Sequence, residues 1–458
     1  MKYRSSRGGV SGLGFRDAVM MGLATDGGLL IPHDIPDVRD KLVSWSSHSF
    51  QELAISIMAE YIDDIPVEDL TLLVTDSYAR FNHEKVTPLV PLGDFHLLEL
   101  FHGPTLAFKD IALQFLGNVF EYILDDQKGY LNILGATSGD TGSAAIESVR
   151  GKSNINIFIL FPEGRTSPVQ EAQMTTVLDA NVFNIGVDGS FDDCQSLIKT
   201  IFSDLPFKQE YQLGAVNSVN WARVLAQIVY YFFAWYELGR PETFDVSVPT
   251  GNFGDIFAGY LAKRMGLPIR KLILATNRND ILARFFHTGV YQRGEVYISE
   301  SPAMDIQVSS NFERYLYYAL DGSCEKVSEF MAGFLDEGVA RLDFNTSGFD
   351  ESFLAGSADD EETLKTIRNI YEEENYLVDP HAAVGISVGN RLRTPDVPLL
   401  CLSTAHPAKF EGAINKAIPG LTPSHESLEA LAGLPMRKEK MGADVAQVKA
   451  FIGQHGLR

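Results

Sequence analysis

Cysteine is scarce in this chain. Cys194, Cys324 and Cys401 are the only three in 458 residues, far apart and in no C-x-x-C pair. That excludes a disulfide framework, and the expected setting is the reducing cytoplasm. Basic side chains are also short, with 38 Lys and Arg against 60 Asp and Glu and a formal net charge of -22. Nucleic acids and anionic membranes are held by cations meeting phosphate, so neither is an expected partner. Any small anion must be captured by a local set of donors, against the field of the whole chain. Long apolar runs are missing too. The greasiest stretch, VLAQIVYYFFAWYEL at 224–238, is broken by Gln227 and closes on Glu237 and Leu238. It reads as a core helix, not a membrane span. The opening MKYRSSRGGVSGLGF has basic residues but no apolar core, so no secretory signal is expected. The ten histidines form no metal-ligand constellation, and His102, His381 and His406 read as structural.

What the chain does have is alternation. FHLLELF (95–101) is extended, and DIALQFLGNVFEYIL (110–124) follows with Ile111, Phe115, Val119 and Ile123 at every fourth position, a helical stripe. YLNIL (130–134), INIFILF (155–161) and NVFNIGV before Asp188 predict buried strands. Helices are expected between them: SAAIESVR, SPVQEAQMTTVL with Ser167 as cap and Pro168 at its first position, and DDCQSLIKTIF opened by Ser190 and Asp193. A strand-like AVNSV precedes a long helix over 221–238. FDVSV (244–248), KLILATN (271–277) and VPLLCLS (397–403) read as further strands, with the helix DIFAGYLAKRM closed by Gly266. Such a pattern predicts an α/β fold of parallel sheets covered by helices. The expected division is a mainly helical N-terminal subdomain (1–94), two parallel-sheet α/β domains (95–215 and 216–410) with a cleft between them, and a helical tail (411–458).

Four strand-to-loop transitions carry chemistry. In FHGPTLAFKD (101–110), Lys109 follows Leu106, Ala107 and Phe108. It is either a solvated lysine in the first helical turn or an amine that an apolar setting keeps neutral and reactive. GATSGDTGSAA (135–145) leaves a strand and opens a helix, so its N–H groups and the Thr137, Ser138 and Thr141 hydroxyls form either an anion site or a capped turn. PTGNFGD (249–255) repeats the arrangement with Gly251 and Gly254. Neither loop has the spacing of a nucleotide P-loop or a dinucleotide fingerprint. CLSTAHPAKF (401–410) ends a strand at Ser403 and Thr404, which are either ligand contacts, as open α/β sheets place there, or a polar turn before Pro407. One amine, two anion loops and a terminal hydroxyl are a set that suits pyridoxal phosphate.

With GLATDGGLLIP (22–32), NSVNWAR (217–223), MDIQVSSNFER (304–314) and DPHAAVG (379–385), these segments run colinearly through nearly the whole chain. In them the chain resembles the threonine synthases, in the longer branch found in bacteria and fungi, with the tryptophan-synthase-β-like fold. MDIQVSSNFER favours that family over dehydratases of the same fold. The resemblance implies pyridoxal 5'-phosphate as cofactor, O-phospho-L-homoserine as substrate, and L-threonine and phosphate as products. It implies that Lys109 forms the Schiff base and later shuttles protons. By the same resemblance Gly251, Asn252, Phe253, Gly254 and Asp255 hold the cofactor phosphate, and Thr404, with Ser403 as neighbour, bonds the pyridine nitrogen. Thr137, Ser138 and Thr141 match the grip on the substrate carboxylate. Asn217, Ser218, Asn220 and Arg223 match the group that receives the substrate phosphate, with the Arg223 fork as its best donor. Asp140 stands where relatives of the fold often carry asparagine near the cofactor's phenolic oxygen, which a carboxylate repels unless protonated or turned away. A monomer or homodimer is expected. A phospho-lyase or dehydratase of the same fold releasing 2-oxobutyrate, and a silent cofactor-binding protein, are the other readings.

Overall fold

The computed structural model describes residues 1–342 and 350–458. The chain forms two compact units, one of residues 1–74, 81–102 and 218–423, the other of 75–80, 103–217 and 424–458.

In the first unit a six-stranded sheet runs Phe353–Ser357, Ile269–Thr276, Phe244–Pro249, Leu399–Ser403, Phe95–Glu99, Leu89–Leu92. Its pairings are parallel except for the last, an antiparallel hairpin. The central strands are buried along their whole length and mostly apolar, with Asp245 and Ser247 among the buried exceptions, as expected of parallel sheets under helices. Phe95–Glu99 was expected with the lysine-bearing segment. It lies in this unit because Leu97 and Leu98 register with Cys401 and Leu402.

The N-terminal 74 residues also belong to this unit. They are less helical than expected: Tyr3–Ser5, Ser11–Leu13 and Leu30–Pro32 form an antiparallel sheet. The Tyr3 ring meets Trp221 at 5.8 Å and Phe50 meets Phe233 at 5.4 Å, so the buried face of the long helix Trp221–Glu237 is completed by this segment.

The second unit holds a five-stranded, wholly parallel sheet in the order Glu439–Gly442, Val182–Asp188, Ile155–Pro162, Leu131–Ala136, Leu213–Gly214. The expected caps are present: Ser167 accepts from the Gln170 amide, and Ser190 with Asp193 makes a capping box. Two expectations change. The tail is not wholly helical; besides the helix Val445–His455, whose Val448 and Ile452 are buried, it supplies the edge strand Glu439–Gly442. The strand before the long helix is Leu213–Gly214 and not AVNSV. The carbonyls of Ser218 and Val219 accept from the side chains of Asn311 and Arg314 instead of a ladder. Among the described residues no helix is long and apolar enough to cross a membrane.

Candidate active site

In the second unit, Lys109 begins the helix Lys109–Gln127 and is buried, which removes the solvated reading. The turn before it is rigid. Leu106 takes a left-handed φ of 59°, and the Asp110 carboxylate accepts from the Thr105 amide and hydroxyl, both at 2.8 Å. Lys109 Nζ lies 4.9 Å from the Phe108 ring centroid, as the apolar expectation has it. It also has an anionic neighbour, Asp140 Oδ2, at 3.5 Å. Asp140 Oδ1 accepts from Gln170 Nε2 at 2.8 Å, so both carboxylate oxygens are tied to protein groups.

The loop 137–142 differs from the expected row of presented hydroxyls. Thr137 Oγ1 accepts from the Gly139 and Gly142 amides at 2.9 and 3.0 Å and is buried, so its side chain staples the loop onto the helix Asp140–Val149. Ser138 is exposed and Thr141 half-buried at the helix start.

The first unit carries further candidate groups. Phe253, at a left-handed φ of 61°, turns the chain into the helix Gly254–Arg264. None of the backbone N–H groups of residues 251 to 255 donates to a described residue. A Cβ on Gly251 would come within 2.9 Å of the Ala303 carbonyl oxygen, so the loop is wedged against residues 303–304. Five uncommitted amides curled at a helix N-terminus fit a phosphate. Beneath them the Asp255 carboxyl is buried. Burial pushes it up to about 6, although Tyr230 and Tyr231 donate to its Oδ1. Ser403 and Thr404 are buried at the end of Leu399–Ser403, with the Ser403 carbonyl accepting from Leu100 N at 2.9 Å.

Of the four residues expected at the substrate phosphate, the structure separates two kinds. Asn220 is spent on structure: its Oδ1 caps the long helix at Ala222 N, 3.1 Å, and its Nδ2 donates to the Val19 carbonyl at 2.9 Å. Ser218 Oγ lies 2.7 Å from Ser310 Oγ, and Asn217 is exposed. Arg223 lies in the first turn of Trp221–Glu237, only 5% exposed. Its Nε and Nη1 make no hydrogen bond to a described residue. Burial draws its pKa down to about 10. A buried guanidinium with two idle donors is costly unless an anion takes them. The donor set fits a second phosphate.

The histidines behave as structural residues. His102 Nε2 pairs with Glu99 at 2.6 Å, Phe101 sits between His102 and His406, and His381 Nδ1 pairs with Asp379 at 2.8 Å. His381 Nε2 accepts from Ala303 N, which steadies the wall behind Gly251. Sequence reasoning gave no role to Ser309, Ser310, Asn311 and Arg314, though they bond to Gly251 and Asn252 of the glycine loop and to Ser218 and Val219 before the long helix. The signal was the polar run SSN between Val308 and Phe312.

Three family models cover the chain: "Threonine synthase N terminus" over residues 2–78, "Pyridoxal-phosphate dependent enzyme" over 81–332 and "Threonine synthase, C-terminal" over 382–452. A threonine synthase of Schizosaccharomyces pombe is 47% identical, covering 91% of this chain and 89% of the relative. One from Pseudomonas aeruginosa is 44% identical, over 100% and 99%. A pyridoxal-phosphate-bound threonine synthase structure from Brucella melitensis superposes with a TM-score of 0.97 at 42% identity, covering both chains completely. The order of elements, the two phosphate-shaped donor sets and these relatives agree: the chain belongs to the threonine synthase family of pyridoxal-phosphate-dependent enzymes.

Proposed function

We propose that the protein converts O-phospho-L-homoserine and water to L-threonine and phosphate, using pyridoxal phosphate. The observation that carries this reading is the pair of separate anion sites in one unit. One is a loop of uncommitted amides, and the other is a buried arginine with idle donors. A cofactor phosphate and a substrate phosphate need one each.

Bound pyridoxal phosphate supplies the electron sink for carbanion chemistry beside the amino group. The amides of Gly251, Asn252, Phe253, Gly254 and Asp255 hold its phosphate. The Thr404 hydroxyl, with Ser403 beside it, meets the pyridine nitrogen. Lys109 would hold the cofactor covalently, and the Lys109 amine would move the protons at Cα and Cβ of the substrate. Arg223 and Ser218 hold the phosphate on Cγ until it leaves. Ser138 and Thr141, on the loop that Thr137 staples, receive the substrate carboxylate. Asp140 orients the lysine amine. Its ties to Lys109 and Gln170 support that role over a contact with the phenolic oxygen. A cytoplasmic place suits three unpaired cysteines.

The test is product analysis with O-phospho-L-homoserine. Threonine and inorganic phosphate in equal amounts support the reading, and 2-oxobutyrate would replace it with a phospho-lyase. Lys109→Ala should lose turnover and release the cofactor on dialysis. A variant that retains both would overturn the role of Lys109.

A further inference from the structure

Residues 309–314 belong to neither anion site, yet they grip the backbone of both. Ser309 Oγ donates to the Gly251 carbonyl at 2.9 Å. Asn311 donates to the Asn252 carbonyl twice, from its backbone N at 3.0 Å and from Nδ2 at 3.1 Å. The same Nδ2 donates to the Ser218 carbonyl at 3.2 Å. Ser310 Oγ repeats the bridge one residue earlier, between Asn252 Oδ1 at 3.1 Å and Ser218 Oγ at 2.7 Å.

The crosspiece is itself clamped. Arg314 is fully buried, and its guanidinium donates to Asn311 Oδ1, to the Val219 carbonyl at 2.5 Å and to the Leu30 carbonyl at 3.0 Å. With its oxygen and both sides of its NH2 engaged, the Asn311 carboxamide has one orientation. A Cβ on Gly254 would lie 3.3 Å from Asn311 Nδ2, so the carboxamide is packed against the amide loop. On the other side the chain is stiff from Ser218 to Arg223, because Asn220 caps the helix and anchors it to Val19.

We propose that Asn311, held by Arg314, is a positioning residue that sets the separation of the two phosphate-binding loops. It thereby selects a substrate with its phosphate on Cγ over one with its phosphate on Cβ. This rests on the roles given above to residues 251–255 and to Arg223. One loop fixes the cofactor and with it the reacting end of the substrate; Arg223 fixes the far end. A methylene alters that span by about 1 Å, and misplacement by about 1 Å can cost about 100-fold in rate.

The experiment uses the holoenzyme, with O-phospho-L-homoserine as substrate and O-phospho-L-serine as competing ligand. It reads KM, kcat, the inhibition constant and the dissociation constant of pyridoxal phosphate. In Asn311→Ala, KM should rise about tenfold, and the ratio of inhibition constant to KM should fall about tenfold, because the shorter ligand is no longer excluded. Cofactor binding should weaken with it. Arg223→Ala should weaken both phosphate ligands while leaving cofactor binding as in the wild type. A merely structural role for Asn311 would weaken the two ligands alike and leave the ratio unchanged, which overturns the proposal. Ser310→Ala, which keeps Asn311 and its clamp, should move the ratio the same way by less. It decides the matter if Asn311→Ala does not fold. A wild type that forms no threonine would strike the functional reading and this proposal together; a normal wild type with fixed ratios in the variants strikes the proposal alone.

Discussion

Asp255 shows how much one buried carboxyl can bias the molecule. Its carboxyl is held up to about 6 by burial, against the pull of two tyrosine hydroxyls. In the unfolded chain the same proton leaves near pH 4. Between about pH 4 and pH 6 the folded state therefore binds more protons than the unfolded state, and stability falls as pH rises. The contribution is intact below the unfolded value and gone above the folded one. Over roughly two pKa units the loss is about 3 kcal/mol at most. Asn keeps the acceptor that Tyr230 and Tyr231 need and removes the charge. The urea midpoint of Asp255→Asn should therefore exceed that of the wild type at pH 8 and approach it at pH 4.5. An equal gap at both pH values would refute this account.

At the scale of elements, the helix Val445–His455 does more than its peripheral place in the sequence suggests. Val448 and Ile452 pack with Cys194, Leu197, Ile201 and Leu213 in the core of the lysine-bearing unit. Ile452→Ala should cost about 3 kcal/mol, the usual range for truncating a fully buried aliphatic chain. A lowered urea midpoint checks it, and a shift below about 1 kcal/mol would mean the helix is only loosely docked. Elements that announce themselves by local pattern were legible: the all-buried run Ile155–Pro162, the Ser167 and Ser190 caps, the stripe of Lys109–Gln127. The strand Glu439–Gly442 was not, since EKMG has neither alternation nor β-branched residues and is a strand only because Val182–Asp188 offers it an edge. The anion loops could be read because glycine between strand and helix has a conformational reason. The Asn311 crosspiece could not, because it consists of long-range side-chain bonds to backbone carbonyls. For the same reason Thr137 and Asn220 matched a binding pattern while their side chains serve the fold.

For the whole molecule, the charge of -22 sets a field that opposes every anionic ligand, while Arg223, the cation proposed to meet the substrate phosphate, is buried. Salt screens long-range repulsion between exposed charges and screens buried contacts much less. The value of kcat/KM for O-phospho-L-homoserine should therefore rise about two- to threefold between ~10 mM and ~100 mM salt. A monotonic fall over that range would show that exposed cations, and not Arg223, dominate capture.

Neither compact unit is continuous in the chain, and that has a consequence in time. The strand Val182–Asp188 waits for its outer neighbour Glu439–Gly442 until the whole of residues 218–423 has been synthesised. At ordinary elongation rates that interval is on the order of tens of seconds. Throughout it the nascent chain carries an open, mostly apolar β-edge, the kind of surface that recruits other chains. The unit that bears Lys109 is therefore the last to be finished and the one most in need of shelter on the ribosome.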